Sequence, residues 1–201
     1  MGKFFPDDEL CYVGNFEKHK LHGENVKIYN IKTGNCIFQG TFNMNKIEGF
    51  GKYFMYNDDN VLCSQYEGNY FNSKWDGEGV LKTMDTIYEG EFKKGELLRG
   101  REISFGKLKY DGSFRNLKYH GFGSLIDNED TIYVGEFREN MKHGKGVLMK
   151  WDSLDILYEG KFENNHMKLT STEYINNEFQ IKKMLEQNEE DSLVTTKNLK
   201  K

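Results

Sequence analysis

A single pattern recurs along the chain: Tyr133-Val134-Gly135-Glu136-Phe137, a polar stretch 138–142, then His143-Gly144-Lys145-Gly146-Val147-Leu148. Internal repetition restricts the fold before any single residue does. Units open with an aromatic residue at Tyr12, Phe38, Tyr66, Tyr88, Tyr110, Tyr133 and Tyr158. Two positions later stand the repeat glycines Gly14, Gly40, Gly68, Gly90, Gly112, Gly135 and Gly160. A second aromatic column follows at Phe16, Phe42, Tyr70, Phe92, Phe114, Phe137 and Phe162, and neither column contains an aliphatic residue. The second half of the unit begins nine residues after the repeat glycine in five units, at Gly23, Gly49, Gly77, Gly121 and Gly144. From Gly90 to Gly100 the distance is ten, which reads as one residue inserted in that turn. Asn25 and Glu102 then stand where the second Gly of Gly-x-Gly is expected.

Side chains alternate between faces of a strand, so the two aromatics of each unit and the glycine between them share one face. The missing glycine side chain leaves room for a neighbouring ring to lie flat and lets backbones approach. Each unit is therefore a β-hairpin that buries its rings against the next. The chain has no Ala, which removes the best helix former and disfavours a helical array. The expected fold is all-β: an elongated single-layer antiparallel sheet of about seven stacked hairpins over 11–163, after a cap segment, 1–10. Strands of about five or six residues would make the ribbon about 17–20 Å wide. Residues 164–201 differ from the rest. Ile175, Phe179, Ile181, Met184 and Leu185 partly fit helical spacing, which predicts a short C-terminal helix over about 178–188 followed by a polar, disordered tail.

This spacing resembles the MORN (membrane occupation and recognition nexus) repeat, roughly Tyr-x-Gly-x-aromatic, a polar turn and Gly-x-Gly. The resemblance covers about 11–163 and implies a stacked-hairpin solenoid that works as a non-enzymatic scaffold or adaptor. It also implies a cytoplasmic, cytoskeletal or membrane-proximal assembly, with axonemes and the cell cortex as settings. An extended ribbon lined by rings suits an elongated partner such as a helix or peptide. The groove of the middle and late units, Tyr88, Phe92, Tyr110, Phe114, Tyr133 and Phe137, is the expected protein-binding face, although core packing is the plainer role for the same rings. An exposed edge strand would also let copies of the chain associate side by side.

No residue pattern points to catalysis, a cofactor or a metal. His22, His120 and His143 share one slot before the second-strand Gly, and Glu48, Asp76 and Arg99 fill it elsewhere. A slot that tolerates acid, base and imidazole reads as a solvated turn. The Gly-x-Gly motifs open strands rather than a helix N-terminus, so they are not phosphate loops. Cys11, Cys36 and Cys63 show no Cys-x-x-Cys or Cys/His clustering, as expected of reduced thiols. There is no signal-peptide or transmembrane pattern, and Gly2 lacks the Ser or Thr at position six that acylation wants, since Pro6 stands there. An anionic-membrane module is the alternative reading, from turn-proximal Lys18, Lys20, Lys93, Lys94, Lys118, Lys142 and Lys145. The formal charge of −4 and the strand residues Glu67, Glu89, Glu91, Glu136 and Glu159 weigh against it, and against nucleic acid more strongly.

Overall fold

The computed structural model describes residues 1–128 and 130–169. The expected helix over about 178–188 lies outside them. Strand β1 (Gly2–Phe4) is followed by the first hairpin, whose arms are β2 (Leu10–Gly14) with β3 (Phe16–Glu17), and β4 (Lys20–Leu21) with β5 (Gly23–Asn30). Five regular hairpins follow: β6 (Cys36–Asn43) with β7 (Lys46–Tyr56), β8 (Leu62–Phe71) with β9 (Lys74–Lys82), β10 (Thr86–Lys93) with β11 (Glu96–Ser104), β12 (Lys107–Arg115) with β13 (Lys118–Ile126), and β14 (Thr131–Arg138) with β15 (Met141–Lys150). The last described pair is β16 (Ile156–Glu163) with β17 (His166–Met167). Every strand but β3 and β4 joins one open, antiparallel, 15-stranded sheet in sequence order. At about 4.8 Å per strand the ribbon is about 70 Å long. Its regular strands run to 11 residues (Lys46–Tyr56), so it is wider than the sequence suggests.

A row of glycines crosses the sheet. Gly40 pairs with Gly51, Gly51 with Gly68, Gly68 with Gly79, and the pairing continues without interruption through Gly90, Gly100, Gly112, Gly123, Gly135 and Gly146 to Gly160. The rings lie flat on this row. A Cβ on Gly79 would meet the Tyr66 Oη at 2.3 Å, and one on Gly123 would meet the Tyr110 Oη at 2.3 Å. Each such phenol donates to the carbonyl three residues on: Tyr66 to Asn69 at 3.1 Å, Tyr110 to Ser113 at 3.0 Å and Tyr133 to Glu136 at 3.0 Å. The second aromatic stands edge-on between units. Phe92 is 5.1 Å from Tyr66, Phe137 is 5.1 Å from Tyr110 and Phe162 is 4.8 Å from Tyr133, centroid to centroid. Each edge-to-face pair adds about 0.5–1.5 kcal/mol beyond burial. The core of this one-layer sheet is therefore a single file of rings on one face.

The two glycines of Gly-x-Gly do different work. The first, at Gly23, Gly49, Gly77, Gly121 and Gly144, has φ between 60° and 103° and makes a bulge. The second belongs to the glycine row. Gly100 is a row glycine, so the fourth unit carries no insertion; it lacks the bulge glycine instead, and one residue fewer separates Leu97 from Gly100 than separates Trp75 from Gly79. Glu102 consequently falls opposite Tyr88 and Tyr110, in the position that Leu81 and Leu125 occupy in neighbouring units. Arg99 stands opposite Glu91, as His143 stands opposite Glu136.

Among the described residues eight two-residue turns, the seven hairpin tips and Phe105-Gly106, have positive φ at both positions, as in Asn72-Ser73 and Glu139-Asn140. This geometry matches the right-handed strand twist. The second turn residue reaches back one unit. Asn140 N donates to Tyr119 O at 3.1 Å while its Oδ1 accepts from Tyr119 N at 2.7 Å. Asn45 does the same to Leu21 and Asn165 to Lys142.

Candidate functional site

The aromatic face is closed over most of its length. Of the six residues expected to line a groove, Phe92, Tyr110, Phe114, Tyr133 and Phe137 are buried, the tyrosines completely. They hold the sheet together, and Tyr88 alone keeps partial exposure. Three kinds of side chain cover the flat rings: Trp75 stacks on Tyr66 at 4.2 Å, Tyr119 stacks on Tyr110 at 3.9 Å, and the Lys142 ammonium sits 5.5 Å from the Tyr133 centroid. Lys142 is itself buried and paired with Asp127. Burial raises the phenol of Tyr66 to about 12 and that of Tyr133 to about 12. Tyr70, Tyr110 and Tyr119 are raised further, again chiefly by burial.

Among the described residues, this face is open at two places in particular. The larger is at the N-terminal end, a cleft of about 970 Å³ floored by Tyr12, Leu21, Ile28, Phe42 and Ile47. Phe4 and Phe16, 51% and 39% exposed, form one wall, and Lys3, Lys18 and His19 stand on the rim. Its cause is one residue. Val26 takes the place of a row glycine opposite Gly40, and its Cγ2 lies 2.8 Å from where a Gly14 Cβ would be. The space that a flat ring fills elsewhere is occupied, so the tip of the first hairpin leaves the main sheet as the separate β3–β4 ladder. Phe4 does cover this hairpin, with its ring 6.4 Å from Tyr12 and 6.5 Å from Phe16, whereas Phe5 is exposed. The aromatic columns mark Tyr12 and Phe16, but their openness depends on Val26, which sequence spacing hides behind Asn25.

The second opening is a notch at Tyr88, Glu102, Tyr119 and Leu125. Glu102 is buried, accepts from Ser104 Oγ at 3.1 Å and lies 3.8 Å from Lys109. Tyr88 is not laid on the glycine row; burial, then the adjacent Glu102 charge and hydrogen bond, raise its phenol.

The histidine slot is more ordered than a solvated turn. In it, Glu48 accepts from the backbone N of Asn72 at 3.1 Å, and Asp76 accepts from Lys93 Nζ at 2.9 Å and the backbone N of Lys94. The slot thus faces the turn of the following hairpin, and the Nδ1 atoms of His22, His120 and His143 are buried there without a hydrogen-bond partner. Among the described residues no group of three or more His, Cys, Asp or Glu side chains is placed to hold a metal ion, and no helix is long and apolar enough to cross a membrane.

The MORN repeat pattern matches residues 38–59, 66–84, 88–97, 110–128 and 133–149, one segment in each hairpin from β6–β7 to β14–β15, with the shortest in the unit that lacks the bulge glycine. Over 109 residues the chain is 30% identical to alsin of Rattus norvegicus, and equally to alsin of Mus musculus and Homo sapiens. That match takes in 48% of this chain and 6% of alsin, so the chain spans a small fraction of the relatives it matches. The repeat is a non-catalytic module, and with five matched segments set in one uninterrupted glycine row, the chain is a MORN-repeat protein.

Proposed function

We propose that this protein is a non-enzymatic scaffold that holds a helix or peptide of a partner protein on its aromatic face, within a cytoskeletal or membrane-proximal assembly. The N-terminal cleft is the observation that carries this reading. It is a large apolar opening on a face that is mostly closed by its own rings, and its exposed walls, Phe4 and Phe16, are available to a partner. An apolar anchor of the partner fills the cleft, and the rest of the segment follows the half-open strip toward Tyr88. A second reading, contact with an anionic membrane, is favoured by Lys3, Lys18 and His19 on the same rim.

The test uses the full chain and the double variant Phe4→Ser/Phe16→Ser. Both positions are exposed or half-exposed, so the melting temperature should fall little. Expressed in its native cell, wild type should stay in the detergent-resistant pellet and the variant should be released. Equal retention of both would sink the cleft as the docking point. Release of wild type by detergent, with salt-reversible binding to phosphatidylserine vesicles, would put the membrane reading first.

A further inference from the structure

The two long edges of the ribbon carry opposite charge. One edge is made of the connections between units, 5–9, 31–35, 57–61, 83–85, 105–106, 127–130 and 151–155. With the flanking strand ends counted, as at the tips, they hold eleven Asp or Glu and four Lys, of which Lys32 pairs with Glu9 at 3.1 Å. The other edge consists of the hairpin tips, 17–20, 43–46, 71–74, 93–96, 115–118, 138–141 and 163–166. They hold nine Lys or Arg and four Glu. Strands of eight or more residues keep the edges about 25–30 Å apart. Screening at physiological salt acts over about 8 Å, so a partner at one edge does not feel the other.

The acidic edge also exposes large apolar side chains. Met84 is 82% exposed, Phe105 81% and Leu154 61%, with Trp151 and Val61 near half. Two of these are held in an unusual backbone state. Phe105 has φ 50° as the first residue of the two-residue turn Phe105-Gly106, and Leu154 has φ 59°. Asn, Asp and Gly are the residues that this region favours, and a bulky apolar residue there costs stability. Neither Phe105 nor Leu154 recovers that cost by burial. Neighbouring connections are tied in pairs, Phe105 N to Asp85 O at 2.9 Å and Trp151 N to Asp130 O at 2.7 Å, so the backbone that carries the apolar groups is held in place.

We propose that this edge docks a basic amphipathic α-helix of a partner protein, lying along the ribbon. Connections recur every two strands, about 9.6 Å. Seven residues of helix rise about 10.5 Å, so apolar residues at heptad spacing meet Met84, Phe105 and Leu154, while the intervening connection 127–130 offers acidic side chains instead. An extended strand does not fit as well. Three residues span a similar distance but put successive contacts on opposite faces. Lys and Arg beside the apolar stripe face Asp85, Asp130 and Asp152. From Met84 to Leu154 three intervals separate the connections, a span matched by a helix of about 20 residues.

The probe is a fluorescein-labelled peptide of three heptads, Leu on one stripe and Lys beside it, titrated with the full chain at physiological salt and followed by anisotropy. A peptide of the same composition with the leucines scattered serves as the charge control. The informative variant is Phe105→Asn/Leu154→Asn. Asn suits both backbone positions, so the fold should become more stable while peptide affinity drops at least tenfold. Equal binding of the striped and scattered peptides, no binding of either, or affinity within twofold in the variant would overturn the proposal. So would a striped peptide lost from Phe4→Ser/Phe16→Ser but not from the edge variant, which would leave the aromatic-face reading standing.

Discussion

Glu102 shows what one residue does in a repeating environment. Its neighbours in the same position are Leu81 and Leu125, and it places a buried carboxylate beside the phenols of Tyr88 and Tyr119. Replacing a buried charge with an apolar group of similar volume is often stabilising by about 1–4 kcal/mol. Glu102→Leu should therefore raise the melting temperature and let Tyr88 settle onto Gly90 and Gly100. A fall would show that the Ser104 and tyrosine hydroxyl contacts outweigh the desolvation of the acid. The row glycines respond in the opposite sense. Gly135→Ala puts a methyl within 2.5 Å of the Tyr133 Oη and 2.6 Å of Gly146 Cα. The ring cannot tilt away, because Phe137 and Phe162 press on its faces and edges at 5.1 and 4.8 Å. Overpacking of this kind costs about 1–3 kcal/mol, read as a lower denaturant midpoint at unchanged slope.

The hairpin is the element on which units are joined, and its turn does more than reverse the chain. Asn140 has φ 68°, and its side chain satisfies the half-buried Tyr119 N–H of the preceding unit. Asn140→Ala strains the turn and leaves that N–H unpaired, a combined loss of about 2 kcal/mol. Asn116 has φ 51° at the first turn position and makes no such link, so Asn116→Ala should cost about half as much. Equal losses in chemical denaturation would remove the turn from the inter-unit bond. Much of this element was readable in the sequence. Period-two aromatics and their glycines are local features, and the ladder places them where the spacing says. The irregular units were not readable. A tenth residue between Gly90 and Gly100 looks like an insertion in a turn, because only cross-strand pairing reveals a shortened bulge. The same limit hid Val26 behind Asn25, and with it the N-terminal cleft. Openness was not readable for a related reason: whether Tyr110 or Tyr133 is free depends on Tyr119 and Lys142, which lie on the next strand and share no column with them.

At the scale of the molecule, among the described residues each strand of the main sheet pairs with its neighbours in sequence, and ring contacts reach no further than the next strand but one. Stability is then close to a sum of units and their interfaces, and the interfaces are largely tyrosine. Of the chain's 12 tyrosines, Tyr66, Tyr70, Tyr110, Tyr119, Tyr133 and Tyr158 are buried in the ring file. In the unfolded chain a phenol ionises near 10. Burial holds Tyr66 and Tyr133 at about 12. A folded-state value above the unfolded one means that the neutral phenol is the form the fold favours. Its contribution is fully present below pH 10 and is lost as pH rises from 10 toward 12. The denaturant midpoint should accordingly be flat from pH 7 to 9 and fall steeply above 10. Absorbance near 295 nm should show the open tyrosines ionising first, and the buried set only together with loss of the β-sheet circular dichroism signal. Ionisation of all 12 near pH 10 with that signal intact would mean that the rings do not seal the face. Because the buried set spans units three to seven, a single late step would show the ribbon melting as a whole, and separate steps would show it opening unit by unit, from the first hairpin and from the fourth, which lacks the bulge glycine.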